Sequence, residues 1–141
     1  APVAAPEHRL SMLKLALAGE PRYRVHLREL APDATGYTVD TLRTLRAETG
    51  RGDSFYLLLG GDQYAALPTW HRPDEVKKLA RIAVFARPGF KTAGTDAETV
   101  TMQPLPISAS EIRARAARGE ALAGLVPPAV AAYIAQHGLY R

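Results

Sequence analysis

Two short, unbroken apolar runs, Phe55 to Leu59 and Ile82 to Phe85, constrain what this chain can fold into more than any other feature. Asp53 and Gly60 bound the first, and the turn Arg87-Pro88-Gly89 follows the second. A run of this kind reads as a strand buried on both faces, as in a parallel sheet. Around the runs, apolar residues recur at helical spacing. Pro6 opens a first helix with Leu10, Leu13 and Leu17 on one stripe, and Gly19 stops it. Thr38 can cap a second helix through Val39, Leu42 and Leu45 to Gly50. Gln63 to Leu67, Asp74 to Ala80, Ser110 to Arg118 and a last segment from Pro127-Pro128 to near Gly138 read as further helices. Tyr23, Val25 and Leu27 alternate with Arg22, Arg24, His26 and Arg28, which predicts a strand with one wet face near a sheet edge. Thr99 to Leu105 reads as a last short strand, and the polar stretch Phe90 to Glu98 as exposed and mobile. Strands alternating with helices require right-handed crossovers and a mainly parallel α/β sheet.

With 141 residues, 47% hydrophobic and 23% charged, the chain fits one α/β domain, residues 1–141, with a real core. It contains no cysteine, which excludes disulfides and thiolate metal sites and suits a reducing cytoplasm. No apolar run reaches membrane-spanning length. The net charge of +4 favours anionic partners. The cations are scattered, without a basic block or an aromatic platform, which argues against a nucleic-acid binder.

Ligands of parallel sheets sit outside the carboxyl ends of the strands. The loops after Leu59, Phe85 and Leu105 are therefore expected on one rim, bringing Gly60-Gly61-Asp62, Arg87-Pro88-Gly89 and Ile107 to Arg113 together. Glycines there let backbone approach a ligand, and Asp62 can accept from sugar hydroxyls. In Ile107-Ser108-Ala109-Ser110-Glu111-Ile112-Arg113, Ser110 reads as an N-cap. Free amides and Arg113 would then face an anion. An ordinary capped helix with a solvated arginine is the alternative.

Gly36-Tyr37-Thr38-Val39-Asp40-Thr41-Leu42, Leu59-Gly60-Gly61-Asp62-Gln63, Trp70-His71-Arg72, Arg87-Pro88-Gly89 and Ile107 to Arg113 follow one another in a known order. Glu7 to Leu13 opens the set, and Val126-Pro127-Pro128 through His137-Gly138-Leu139-Tyr140 closes it. Over essentially its whole length the chain resembles bacterial nicotinate mononucleotide adenylyltransferases. The resemblance implies a Rossmann-like nucleotidyltransferase fold and transfer of the adenylyl group of ATP to nicotinate mononucleotide, giving deamido-NAD and pyrophosphate with Mg²⁺. By the same resemblance Tyr37 and Thr38 hold the nicotinate carboxylate, Trp70 stacks on the pyridine ring, and Gly60, Gly61 and Asp62 approach a ribose. Arg87 contacts a substrate phosphate or nucleotide, and Ile107, Ser108, Ser110 and Arg113 hold the ATP phosphates, with Arg113 the catalytic candidate. Read without the resemblance, Trp70 serves equally as a core or lid anchor.

The chain departs from the family pattern in three places. Gly36 and Ser108-Ala109-Ser110 stand where the family has Ser and Ser-Ser-Thr. The family's front βαβ portion, with a Gly-x-Phe-Asp-Pro-x-His-x-Gly-His loop, does not occur in these residues. By the resemblance the chain starts about fifty residues into the family pattern. A chain without that loop is expected to be inactive alone and to self-associate or bind the missing piece. None of the four histidines replaces it: His8 reads as solvated, His26 as lying on a wet strand face, His71 as an exposed loop residue and His137 as a helix cap. Two alternatives are a non-catalytic nucleotide-binding fragment and a related adenylyltransferase for nicotinamide mononucleotide or pantetheine phosphate.

Overall fold

The two apolar runs become neighbouring strands. β1 (Tyr56–Gly60), β2 (Arg81–Phe85) and β3 (Glu98–Val100) form a sheet of order β1-β2-β3 with both pairings parallel. Tyr56 lies opposite Arg81 and Gly60 opposite Phe85, while Ala83 faces Glu98 across the second pairing. These come from a computed structural model that describes residues 4–49, 52–85, 97–101, 103 and 105–141. Arg87-Pro88-Gly89, most of Phe90 to Glu98, and Gly50 lie outside the described residues. The chain divides into two units, Arg28–Pro104 and a second built from Ala1–Leu27 with Leu105–Arg141.

In the Arg28–Pro104 unit, β2 is central and Ile82, Ala83 and Val84 are buried, as an unbroken apolar run predicts. β1 corrects the same expectation. Among the described residues it pairs on one side only, and Leu59 is buried while Tyr56 and Leu58 are 46% and 60% exposed. Composition alone cannot tell a central strand from an edge strand. The β1-to-β2 crossover runs through α3 (Gly61–Ala66), a 3-10 turn at Leu67–Thr69 and α4 (Pro73–Leu79). Gly60 ends the strand and Gly61 starts the helix, so Gly60-Gly61-Asp62 is a strand-to-helix junction rather than a loop. Pro73 opens α4 where its missing N–H costs nothing. α2 (Thr38–Thr49) contributes Val39 and Leu42 to a core completed by Leu59, Leu67, Val76, Ala80, Ile82 and Val84. A large aliphatic side chain removed from water in this way contributes about 1.5–3 kcal/mol.

In the other unit, α1 (Pro6–Ala16), α5 (Ala109–Ala117) and α6 (Pro128–Gln136) surround Ala4, Ala116, Leu122, Val130, Ile134 and Leu139. α1 starts at Pro6 as predicted, and Gly19 follows it at φ 86°. None of its residues is buried, however, and Leu13 is 46% exposed. The helical stripe is real, but among the described residues it is only half covered, with Met12 packed on the core. The alternating segment Arg22 to Arg28 forms no strand. It is irregular and leads into a 3-10 turn at Arg28–Leu30, leaving Tyr23 and Leu27 exposed. Period-two patterning needs a partner strand, and none among the described residues pairs with it.

Candidate nucleotide site

The residues assigned to a pyridine nucleotide lie in the Arg28–Pro104 unit. Gly36, at φ 72°, turns the chain into α2 through a conformation that suits glycine. The Thr35 hydroxyl accepts the Tyr37 N–H at 3.2 Å and donates to Asp40 Oδ2 at 2.8 Å. The Tyr37 carbonyl accepts from the Asp40 and Thr41 amides. Thr38 is therefore the first helical residue rather than the cap, and Thr35 orders the approach. The Tyr37 amide is engaged; those of Thr38 and Val39 have no partner inside the helix, as a helix start dictates.

The second turn carries Trp70, His71 and Arg72. Trp70 donates its N–H to the Leu67 carbonyl at 3.0 Å, and its half-buried ring packs against the unit's core. His71 is exposed, and its ring stacks on Tyr37 with centroids 4.3 Å apart and planes 23° from parallel. Arg72 adopts a left-handed conformation, φ 51°. Gly60 lies at the carboxyl end of β1, and a methyl group in place of its α-hydrogen would meet no atom within 4 Å. Asp62 is exposed on the first turn of α3.

Charged groups tie the two turns together. Arg43 donates from Nε and Nη2 to both oxygens of Glu75, each at 2.7 Å, and from Nη1 to Asp40 Oδ1 at 2.8 Å. Those hydrogen bonds hold the Glu75 carboxyl below its ordinary range and raise Arg43. Asp40 is lowered first by the Thr35 hydroxyl and further by Arg43. Thr35, Arg43 and Glu75 escape motif reading because each is an ordinary residue type, Thr35 in a loop and the other two at ordinary helix positions.

The residues assigned to phosphates lie in the other unit, at the start of α5. Ser108, not Ser110, is the N-cap: it is extended, φ −129° and ψ 148°, and its Oγ accepts the Glu111 N–H at 3.1 Å. The sequence held the cue, because Ser108 and Glu111 have the spacing of a capping box. Ser110 sits inside the helix, where its Oγ accepts from Arg113 Nη2 at 3.3 Å. Arg113 is thereby drawn back towards the helix start, beside the Ala109 and Ser110 amides that lack helical partners. Ile107 is half-buried, and Ser108 and Ser110 are exposed. Arg87, the remaining site residue, lies outside the described residues.

The histidines take other roles. His8, expected to be solvated, is partly buried, with Nδ1 2.9 Å from the Tyr133 hydroxyl and its ring 5.1 Å from that of His137. His137 stands at the C-cap of α6, as predicted. His26 is exposed but lies on no strand.

A parallel sheet with a βαβ crossover and glycines at a strand's carboxyl end are features of nucleotide-binding α/β proteins. The cytidylyltransferase-like family model matches residues 1–115. A probable nicotinate-nucleotide adenylyltransferase of Laribacter hongkongensis is 42% identical over 98% of this chain and 73% of its own length. One from Chromobacterium violaceum is 39% identical over 99% of this chain and 77% of its own. The fold is similar to Plasmodium falciparum nicotinic acid mononucleotide adenylyltransferase complexed with NaAD, with a TM-score of 0.77 and 18% identity over 99% of this chain and 76% of that one. The same protein complexed with APC gives a TM-score of 0.76. The chain belongs to the nicotinate-nucleotide adenylyltransferase family.

Proposed function

We propose that this chain binds nicotinate mononucleotide and ATP and takes part in transferring the adenylyl group of ATP to nicotinate mononucleotide, giving deamido-NAD and pyrophosphate. The observation that carries the reading is the pairing of two turns in one unit: an aromatic stack, Tyr37 on His71, stands next to an unpartnered helix start at Thr38 and beside Trp70. A flat, anionic pyridine carboxylate suits that combination. The Thr38 and Val39 amides donate to the carboxylate, and the indole of Trp70 offers a face to the electron-poor ring. Gly60 leaves room for a ribose that Asp62 accepts from, and Arg87 takes a substrate phosphate. Ile107, Ser108, Ser110 and Arg113 bind the ATP phosphates. The Arg113 charge matters most as negative charge builds on the transferred phosphate. We treat residues 1–141 as one such domain and place its activity in the cytoplasm.

Among the described residues no three His, Cys, Asp or Glu side chains are grouped to cage a metal ion. A Mg²⁺ brought in on ATP phosphates needs no such cage, and we propose that it enters in that way. Binding of the nucleotides without turnover is the second reading.

Calorimetry on this chain with each nucleotide tests the binding. Pyrophosphate release is then measured with the histidine loop of a relative fused before Ala1. ATP-dependent release that requires nicotinate mononucleotide is the expected result. Binding without release in the fusion favours the second reading, and no binding of either nucleotide overturns both.

A further inference from the structure

Helices α2 and α4 begin where the two turns of the pyridine site end. α2 starts at Thr38, directly after Gly36-Tyr37, and α4 at Pro73, directly after Trp70-His71-Arg72. Val39 and Leu42 of α2 join Val76 of α4 in one buried cluster. Apolar contact is non-directional, so it holds the helices together without fixing how one slides or turns against the other. The polar groups supply direction. They form an unbroken chain: Tyr37 N–H to Thr35 Oγ1, Thr35 hydroxyl to Asp40, Arg43 to both Asp40 and Glu75, and Arg72 Nη1 to Glu75 Oε2 at 3.4 Å. It starts on the backbone of one turn and ends on a side chain of the other.

We propose that Arg43 is a positioning residue. By gripping Glu75 it fixes the spacing of the Tyr37 and His71 turns, so that the Thr38 helix start and the rings are already set for the pyridine nucleotide. The identity of that ligand rests on the function proposed above; the grip itself does not.

Three observations support the assignment. The contact is a two-point guanidinium–carboxylate fork, the arrangement that fixes orientation as well as distance, and a lysine cannot reproduce it. The pair is partly exposed, with side chains 40% and 32% accessible, so its effect on overall stability is small and its effect on geometry is the larger one. Arg72, left-handed at φ 51°, holds a conformation that is strained for a residue with a side chain. A turn kept in that state relaxes when its anchor on Glu75 moves.

The test has a ligand-free arm and a ligand arm on the 141-residue chain. Stacked on Tyr37, the His71 imidazole protons carry a ring-current shift visible by NMR and assignable with His71→Gln. Arg43→Met should abolish the shift while far-UV circular dichroism stays unchanged, and Arg43→Lys should recover part of it. Glu75→Gln, which keeps the shape of the partner, should weaken the shift in the same way. A shift retained in both Arg43→Met and Glu75→Gln overturns the proposal.

In the ligand arm, nicotinate mononucleotide is titrated against the fluorescence of Trp70, the single tryptophan. Arg43→Met should bind it about tenfold more weakly, with ATP affinity unchanged. Wild-type affinity in Arg43→Met also overturns the proposal. A lost ring-current shift with no wild-type response to nicotinate mononucleotide leaves the grip standing and overturns the substrate reading instead.

Discussion

Ser108 and Ser110 are two residues apart and chemically identical, yet they do different things. Ser108 satisfies an orphan amide of α5, whereas Ser110 accepts from a guanidinium. Ser108→Ala should destabilise the protein by about 1 kcal/mol, the usual effect of losing a cap. Ser110→Ala should change stability by less than about 0.5 kcal/mol, as for a surface change that removes no cap. Urea denaturation of both variants checks this, and equal losses would contradict the cap assignment. The helix start was thus legible in the sequence, but the division of labour between its two serines was not. Either serine hydroxyl can cap a helix, and the Ser108–Glu111 spacing is what fixes the choice. His8 was misjudged for a different reason: its partner, Tyr133, is 125 residues away, and no local pattern announces such a contact.

Elements were most legible where packing decides them alone. α2 follows from apolar periodicity and β2 from its unbroken apolar run, because Val39, Leu42, Ile82 and Val84 are buried as those patterns require. The alternation at Arg22 to Arg28 failed because a strand exists only with a partner, and a partner is a property of the whole sheet. The link between α2 and α4 was equally invisible, since it joins side chains 32 residues apart. That link also predicts a pH response. Glu75 is held below its ordinary 4.5 and Asp40 below 3.8, chiefly by Arg43 and Thr35 respectively. A carboxyl lowered on folding stabilises the folded state above its unfolded value, and that contribution is lost as pH falls through the folded one. The stability difference between wild type and Arg43→Met should therefore be constant near pH 7 and shrink as pH drops below about 4.5. Thermal melts from pH 7 downward check it; a difference that never shrinks as the pH falls assigns the effect to packing.

At the scale of the molecule, 18 basic against 14 acidic residues give +4, spread without a stripe. Such a surface draws anions in general and chooses none in particular. The Debye length falls from about 10 Å at 0.1 M salt to about 3 Å at 1 M. ATP affinity should therefore drop several-fold across that range. Nicotinate mononucleotide, with less charge and a ring to stack, should lose less; calorimetry at both salt concentrations checks the ordering. Overall charge was readable from composition, but its apportioning between the two nucleotides was not.

The two units differ in how the ribosome meets them. Arg28–Pro104 is one uninterrupted stretch, so β1, β2, β3 and the Arg43–Glu75 grip have all been made once Pro104 has emerged. The other unit is assembled from the two ends of the chain: α1 is made early, but Val130 and Ile134, which complete its core, come last. During synthesis α1 therefore waits, with Met12 still without its core, for about the last hundred residues of chain, some seconds at a ribosomal rate of about 5–20 residues per second. That interval, more than any weakness of the finished fold, is when this protein is most open to chaperones and to aggregation.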